Sequence, residues 1–230
     1  MSMDAVILCG GKGTRLRSVV SDRPKPLAAV GGGAFLDLLM KYAAGFGFRR
    51  FVLCAGHMGR MIEEHFHGGR PGLEIVVSIE AEPLDTAGAV KNAGRLIGTP
   101  RFLLLNGDSF CRADLEAFAS FHAAGGSPVS LAASRRDDAG AFGALSVGEN
   151  GRLLAFAEKS ASGPGLVNAG IYMLEKTVLE RVPPGVRYSM ERDLLPALAA
   201  AGQVRAWETG APLLDIGTPE GYARALEELK

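Results

Sequence analysis

Ala5-Val6-Ile7-Leu8-Cys9-Gly10-Gly11-Lys12-Gly13-Thr14-Arg15-Leu16 stands near the start of the chain, and Asp22-Arg23-Pro24-Lys25-Pro26 follows closely. The apolar run 5–9 predicts a buried β-strand. It ends in a loop in which three of four residues are glycine, so that backbone N–H groups can approach a bulky anion. Arg15 and Lys25 add two positive charges. The stretch predicts a site for the phosphates of a nucleoside triphosphate.

Strand and helix patterns alternate downstream of this loop. Short apolar runs predict strands at 51–55, 73–79, 102–105 and 129–133, and helical patterns lie between them. Such an order indicates an α/β fold with a mainly parallel, Rossmann-like sheet covered by helices on both faces. Ligands bind beyond the carboxyl ends of the strands in such sheets. Glu80 and Asp108 follow two of the predicted strands, as the glycine loop follows the first.

The second half of the chain lacks the regular alternation of strand and helix patterns seen in the first half. An Asn150-Gly151 pair between apolar runs predicts a hairpin, and further strands are expected at 167–174, 204–207 and 212–216. We expect this half to be partly antiparallel and to cover the substrate end of the site.

Composition limits the classes of function. The chain has 230 residues, 47% of them hydrophobic, and a formal net charge of zero, so we expect a soluble protein with no nucleic-acid partner. No apolar run approaches the roughly 20 residues of a membrane span, so no membrane partner is expected. Three cysteines without paired spacing favour reduced thiols and a cytoplasmic location. His65 and His67 show no acidic partner in sequence and are expected at the surface.

The glycine loop matches neither of two common phosphate-binding patterns. Gly11-Lys12 lacks the following serine or threonine of a Walker sequence, and the glycine spacing differs from that of dinucleotide-binding loops. Segments 8–16 and 24–26 instead resemble the signature of the sugar-1-phosphate nucleotidyltransferases, with Cys9 in place of the usual alanine. The block 14–28 is similar in particular to the D-glycero-α-D-manno-heptose-1-phosphate guanylyltransferases. C-terminal hexapeptide repeats, which many other guanylyltransferases carry, are not seen, and this favours the same subgroup.

The resemblance implies the nucleotide-diphospho-sugar transferase fold and a reaction. GMP would pass from GTP to D-glycero-α-D-manno-heptose 1-phosphate by in-line attack of the sugar phosphate on the α-phosphorus, giving GDP-heptose for capsule or lipopolysaccharide synthesis and pyrophosphate. Mannose-1-phosphate guanylyltransferase, a uridylyl or thymidylyl relative, and a non-catalytic nucleotide-sugar sensor remain alternatives. The whole chain, 1–230, would form one domain, with a nucleotide-binding half at about 1–135 and a sugar-phosphate half at about 136–230. Family members often pair, so a homodimer is one state that the resemblance allows.

The resemblance also implies roles for individual residues. Arg15 would hold the outer phosphates, and Lys25, stiffened by two flanking prolines, would bridge the α-phosphate and the sugar phosphate as the second catalytic residue. Asp108 and Asp215 would bind Mg²⁺, a cation that two carboxylates suit because it keeps water and phosphate ligands. The alternative interpretations, without a role in catalysis or metal binding, are that Lys25 is an exposed residue of a turn and that the two aspartates cap helices. The implied nucleotide-binding residues are Leu8, Gly10, Gly11, Gly13, Thr14, Glu80, Asp85, Thr86, Gly88, Asn106 and Gly107.

Glu80 carries the prediction of the base. Guanine presents N1–H and its 2-amino group side by side, and a carboxylate accepts both. Relatives that use uridine or thymidine nucleotides commonly have glutamine at this position, so Glu80 favours GTP unless it is only a solvated strand-end acid. Asp85 stands where the family usually has glycine, and glycine-like torsions would strain it.

The sugar phosphate would contact Gly143, Glu158, Lys159, Asn168 and Gly170. Glutamate and asparagine bind sugar hydroxyls, and lysine holds a phosphate as a point charge. On spacing alone these residues would be hairpin ends. Ser160 follows Lys159 where the family usually has proline. The segment 188–191 resembles a family segment near the sugar pocket, but no role is assigned to it.

Overall fold

The elements of the fold are taken from a computed structural model that describes residues 3–140, 144–156 and 163–229. Its strands are β1 (Asp4–Leu8), β2 (Ala29–Val30), β3 (Gly33–Ala34), β4 (Arg50–Ala55), β5 (Glu74–Ile79), β6 (Arg101–Asn106), β7 (Ser109–Cys111), β8 (Val129–Arg136), β9 (Ala144–Val147), β10 (Leu153–Phe156), β11 (Gly165–Glu175), β12 (Val204–Glu208) and β13 (Leu213–Asp215). Its α-helices are α1 (Phe35–Gly45), α2 (Gly59–Phe66), α3 (Asp85–Asn92), α4 (Leu115–Gly125), α5 (Leu195–Ala200) and α6 (Pro219–Glu228).

The main sheet has the strand order β10-β9-β11-β6-β1-β4-β5; outside this order β8 pairs with β11, and β12 pairs with β8. β6, β1, β4 and β5 run parallel. β11 is antiparallel to β6, β8 and β9, and it joins the two halves of the chain in one sheet. The expected α/β architecture, a mixed sheet with helices on both faces, is confirmed.

Two apolar cores explain why the central strands read as continuous hydrophobic runs. Ala5 and Ile7 of β1 pack on one face with α1, α2, α4 and α6. Val6, between them, packs on the other face with α3 and α5. Because successive strand side chains point to opposite faces, a strand covered on both sides must be apolar throughout.

Several local features differ from the sequence-based expectation. β11 has 11 residues and is longer than the predicted strand, with a register irregularity between Asn168 and Tyr172. His65 was expected to lack an acidic partner, and this was wrong: its Nε2 lies 2.6 Å from Asp37 Oδ2 on α1. In the described part of the chain, no helix combines the length and apolar character needed to cross a membrane.

Candidate active site

The glycine loop continues directly from β1. Cys9 N donates to Cys54 O at 2.7 Å, and Gly10 O accepts from His57 N at 3.2 Å. The loop therefore follows the end of β4 closely, and a Cβ on Gly10 would lie 3.2 Å from both the Gly56 nitrogen and a Glu80 oxygen. Gly13 has a φ of +59°, which glycine adopts without strain. The loop keeps its backbone near Glu80, and Gly10, Gly11 and Glu80 line the same cavity.

The end of β6 meets the same loop. Gly107 N donates to Leu8 O at 2.9 Å, and a Cβ on Gly107 would lie only 2.2 Å from that carbonyl oxygen. Only glycine fits this contact, because no side chain can approach a backbone oxygen so closely. The glycine thereby brings Asp108 to the cavity beside the glycine loop.

Lys25 and Asp108 form the central charged pair of the site. Lys25 Nζ donates to Asp108 Oδ2 at 2.5 Å, and the lysine side chain is only 11% exposed. Pro24 has a φ of −66°, and Lys25 opens a short 3₁₀ helix, Lys25–Leu27. The lysine is therefore held against the site and is not a free surface residue.

Asp215 reaches the site on a second, two-stranded sheet. β13 pairs antiparallel with β7, with Asp215 opposite Ser109, and Ile216 N donates to Asp108 O at 2.9 Å. Asp215 Oδ1 accepts from Gly217 N at 2.6 Å. A Cβ on Gly217 would lie 2.7 Å from Asp215 Oδ1 and 3.1 Å from Arg15 Nη2, so the guanidinium of Arg15 lies beside this carboxylate.

These carboxylates fit a magnesium ion. Among the described residues, no group of three or more His, Cys, Asp and Glu side chains is arranged to hold a metal. Asp108, in the turn between β6 and β7, and Asp215, at the end of β13, would instead provide two carboxylates. This number suits Mg²⁺, which commonly takes one or two carboxylates while water and substrate phosphates complete its octahedron.

Glu80 lies at the end of β5, where the base is expected. Its Oε2 accepts from Leu84 N at 3.1 Å. Burial raises the pKa of Glu80 above its ordinary value, and the charge of Asp85 adds to this, while the Leu84 N–H and the charge of Arg187 act in the opposite direction. The carboxylate is therefore half-buried, fixed by one hydrogen bond and close to a cation.

Asp85 adopts the left-handed backbone conformation that sequence comparison with the family suggested, with a φ of +63°. Its Oδ1 accepts from Thr86 N at 2.9 Å, and its other oxygen forms an ion pair with Arg192. These contacts link α3 to the π-helical turn Met190–Leu194.

A partly buried hydroxyl network joins the base loop to the expected sugar side. Thr86 Oγ1 donates to Glu191 Oε2 at 3.0 Å, and the hydroxyl of Tyr172 lies 3.4 Å from Glu191 Oε1. Asn168 Nδ2 donates to the same tyrosine oxygen at 2.6 Å. Gly170 N donates to Asn168 Oδ1 at 3.0 Å. Glu191 is thus oriented by hydroxyl groups from two separate elements.

One cavity of about 400 Å³ brings many of the expected residues together. Those that line it are Leu8, Gly10, Gly11, Lys25, Glu80, Asp85, Thr86, Asn106, Gly107 and Asp108. The cavity lining does not include Gly13, Thr14, Arg15, Gly88, Asn168, Gly170 or Asp215. Gly143, Glu158 and Lys159 lie outside the described residues.

Sequence reasoning assigned no role to three charged residues of the cavity lining. They are Lys12, Arg187 and Glu191. Lys12 stands inside the quoted glycine loop, so a phosphate role was within reach of the sequence. Glu191 stood in a segment noted only for its resemblance, whereas nothing in the sequence around Arg187 pointed to the site.

The comparisons with known proteins agree with this geometry. The nucleotidyl transferase family model matches residues 4–230. The D-glycero-α-D-manno-heptose 1-phosphate guanylyltransferase of Aneurinibacillus thermoaerophilus is 33% identical over 99% of both chains. The mannose-1-phosphate guanylyltransferase of Mycobacterium tuberculosis is 35% identical over 99% of this chain, which spans 64% of that relative's length.

Solved structures give the same result. The crystal structure of HddC from Yersinia pseudotuberculosis has a TM-score of 0.88 and 35% identity, with 99% of this chain and all of that chain covered. The same protein complexed with GMP-PN has a TM-score of 0.87. On the family match and on relatives of this similarity, the chain belongs to the nucleotidyl transferase family.

Proposed function

We propose that the chain transfers GMP from GTP to D-glycero-α-D-manno-heptose 1-phosphate, with release of pyrophosphate. The observation that carries the proposal is the shared cavity of Glu80, Lys25 and Asp108, since it combines a guanine-type acceptor with groups suited to phosphate and metal. The names of the heptose relatives and the GMP-PN complex of HddC support the choice of nucleotide and sugar.

The chemistry requires alignment and charge neutralisation more than a general base. The sugar phosphate is already ionised at neutral pH, so it can attack the α-phosphorus once both groups are held in line. In the proposed reaction Lys25 lies between the α-phosphate and the sugar phosphate, and Arg15 holds the outer phosphates. Asp108 and Asp215 would hold Mg²⁺, which would neutralise phosphate charge when bound. Glu80 orients the base.

Mannose 1-phosphate is the second candidate acceptor, because a mannose-1-phosphate guanylyltransferase is 35% identical to this chain. The assay is pyrophosphate release from GTP and from UTP, each with heptose 1-phosphate, mannose 1-phosphate or glucose 1-phosphate. The proposal predicts the highest kcat/KM for GTP with the heptose. Release only with mannose 1-phosphate would refute the heptose assignment, and no release with any pair would favour a nucleotide-sugar sensor.

The proposal also includes a single domain and a cytoplasmic location, and it leaves open whether the chain is a monomer or a homodimer. Support for one domain comes from β11, which pairs with β6 of the first half and with β8 and β9. A single cooperative unfolding transition is the expected result, and sedimentation equilibrium measures the oligomeric state.

A further inference from the structure

Arg187 is held directly against the base loop. Tyr188 N donates to Leu84 O, and Gly88 N donates to Tyr188 O, each at 2.9 Å. On the other side of the arginine, Val186 O lies 2.8 Å from the position that a Cβ on Gly88 would occupy. Both neighbours of Arg187 are therefore docked on the segment that follows Glu80, and the backbone of the arginine has a fixed position beside the expected base.

The side chain of Arg187 lines the same cavity as Glu80. Within the described residues it has no hydrogen bond and no ion pair, in contrast to Arg192, which pairs with Asp85. Its charge nevertheless lowers the pKa of Glu80, although Glu80 and Arg187 do not form an ion pair with each other. A carboxylate and a guanidinium thus face one cavity, near each other but not in contact.

Guanine has one edge for each of these groups. N1–H and the 2-amino group are donors, which a carboxylate accepts. O6 and N7 are acceptors on the neighbouring edge, and an arginine that donates to both is the commonest specific contact to guanine. Adenine offers a donor in place of O6, so the same arginine would leave an N–H unpaired and disfavour ATP.

We propose that Arg187 is a second guanine-reading residue, which donates to O6 and N7 while Glu80 accepts from N1–H and the 2-amino group. This inference rests on the proposed use of GTP and extends it to a second residue of the cavity lining. Arg187 then acts on the choice of nucleotide, whereas the sugar phosphate is bound by other groups.

The test compares GTP with 7-deaza-GTP, which keeps O6 but has no N7 acceptor. For the wild type, loss of one hydrogen bond should lower kcat/KM about 3- to 10-fold. Arg187→Ala should lower kcat/KM for GTP on the order of 10- to 100-fold and should bring the ratio between the two nucleotides close to one. Arg187→Lys should keep part of the preference. Arg181→Ala, an exposed arginine outside the cavity lining, is the matched control and should behave as the wild type.

A role in folding alone would not change the ratio between GTP and 7-deaza-GTP. If Arg187→Ala lowers both rates equally, or neither, the proposal is overturned; an equal loss would move the arginine to the phosphates. Equilibrium binding of the two nucleotides without sugar phosphate repeats the comparison independently of turnover. A wild type that binds GTP and 7-deaza-GTP with the expected difference but transfers nothing would refute the proposed function and leave the assignment of Arg187 intact.

Discussion

The left-handed conformation of Asp85 gives a prediction whose sign is opposite to the ordinary rule for helices. Alanine normally stabilises a helix relative to glycine by about 0.8–1 kcal/mol. Asp85 opens α3 with a φ of +63°, a conformation that costs a residue with a Cβ about 1–2 kcal/mol and costs glycine nothing. After the greater unfolded-state entropy of glycine is subtracted, about 0.5–1 kcal/mol, Asp85→Gly should be more stable than Asp85→Ala by up to about 1.5 kcal/mol.

Asp85→Ala should also be less stable than the wild type. It loses the hydrogen bond from Thr86 N, which contributes about 0.5–1.5 kcal/mol. It also loses the ion pair with Arg192, which contributes about 0–1 kcal/mol because the arginine side chain is 73% exposed. The total loss should be about 0.5–2.5 kcal/mol, while the strain remains.

Urea unfolding of the wild type and the two variants measures these differences in the free energy of unfolding. In thermal unfolding, each kcal/mol should shift Tm by about 2–4 °C in a chain of this size. Ala123→Gly, at an exposed position inside α4, is the control and should destabilise by about 1 kcal/mol. If Asp85→Gly is less stable than Asp85→Ala by a similar amount, Asp85 does not have the left-handed conformation and the reasoning is refuted.

The other predictions concern the base, the central lysine and the far end of the sheet. Glu80→Gln should shift the preference from GTP toward UTP, because an amide matches the donor and acceptor of uracil; parallel changes in both rates would contradict this. Burial raises the pKa of Glu80 above 4.5, so KM for GTP should rise as pH falls through that raised pKa, because the protonated carboxyl no longer accepts two hydrogen bonds from guanine. The contribution of Glu80 to the free energy of unfolding has the opposite dependence: it is lost as pH rises through the raised pKa. Glu80→Gln should remove both dependences, measured by kinetics and by urea titration at several pH values. Lys25→Ala should lower kcat on the order of 100- to 1,000-fold while circular dichroism stays unchanged, and retention of a tenth of the activity would exclude the assigned role. Arg50→Ala leaves the buried carboxylate of Asp4 without its cation at 2.8 Å, and this should cost about 3 kcal/mol of stability. KM should not change, because Asp4 and Arg50 begin β1 and β4 and so lie at the ends of these strands that are away from the cavity.

The strands that form the centre of the site follow from the sequence for a physical reason. The central residues of β1, β4 and β6 are buried on both faces of the sheet, so they must be apolar, whereas the residues that follow the carboxyl ends can be glycine or polar because the cavity opens there. Leu8, Gly107 and Asp108 could therefore be expected near one another before the structure was known. The close approach of Gly107 to Leu8 O shows why the residue between Asn106 and Asp108 has no side chain.

The contacts between distant segments could not be predicted in this way. Thr86, Tyr172 and Glu191 meet in one hydroxyl network, but their separation in sequence gives no pattern that periodicity can detect. The same holds for Arg187, which reaches the base loop only because the backbone of residues 186–188 docks on residues 84–88. The conformation of Asp85 could be suggested only because the family usually has glycine there.

The central claim is guanylyl transfer to a sugar 1-phosphate in the cavity of Glu80, Lys25 and Asp108. The most direct test is phosphorus-31 NMR of the purified protein with GTP, Mg²⁺ and D-glycero-α-D-manno-heptose 1-phosphate. The account predicts that the signals of the substrates are replaced by those of pyrophosphate and of the diphosphate group of GDP-heptose. With Lys25→Ala the spectrum should stay unchanged over the same time. Unchanged GTP with the wild type and every sugar 1-phosphate of the panel would contradict it.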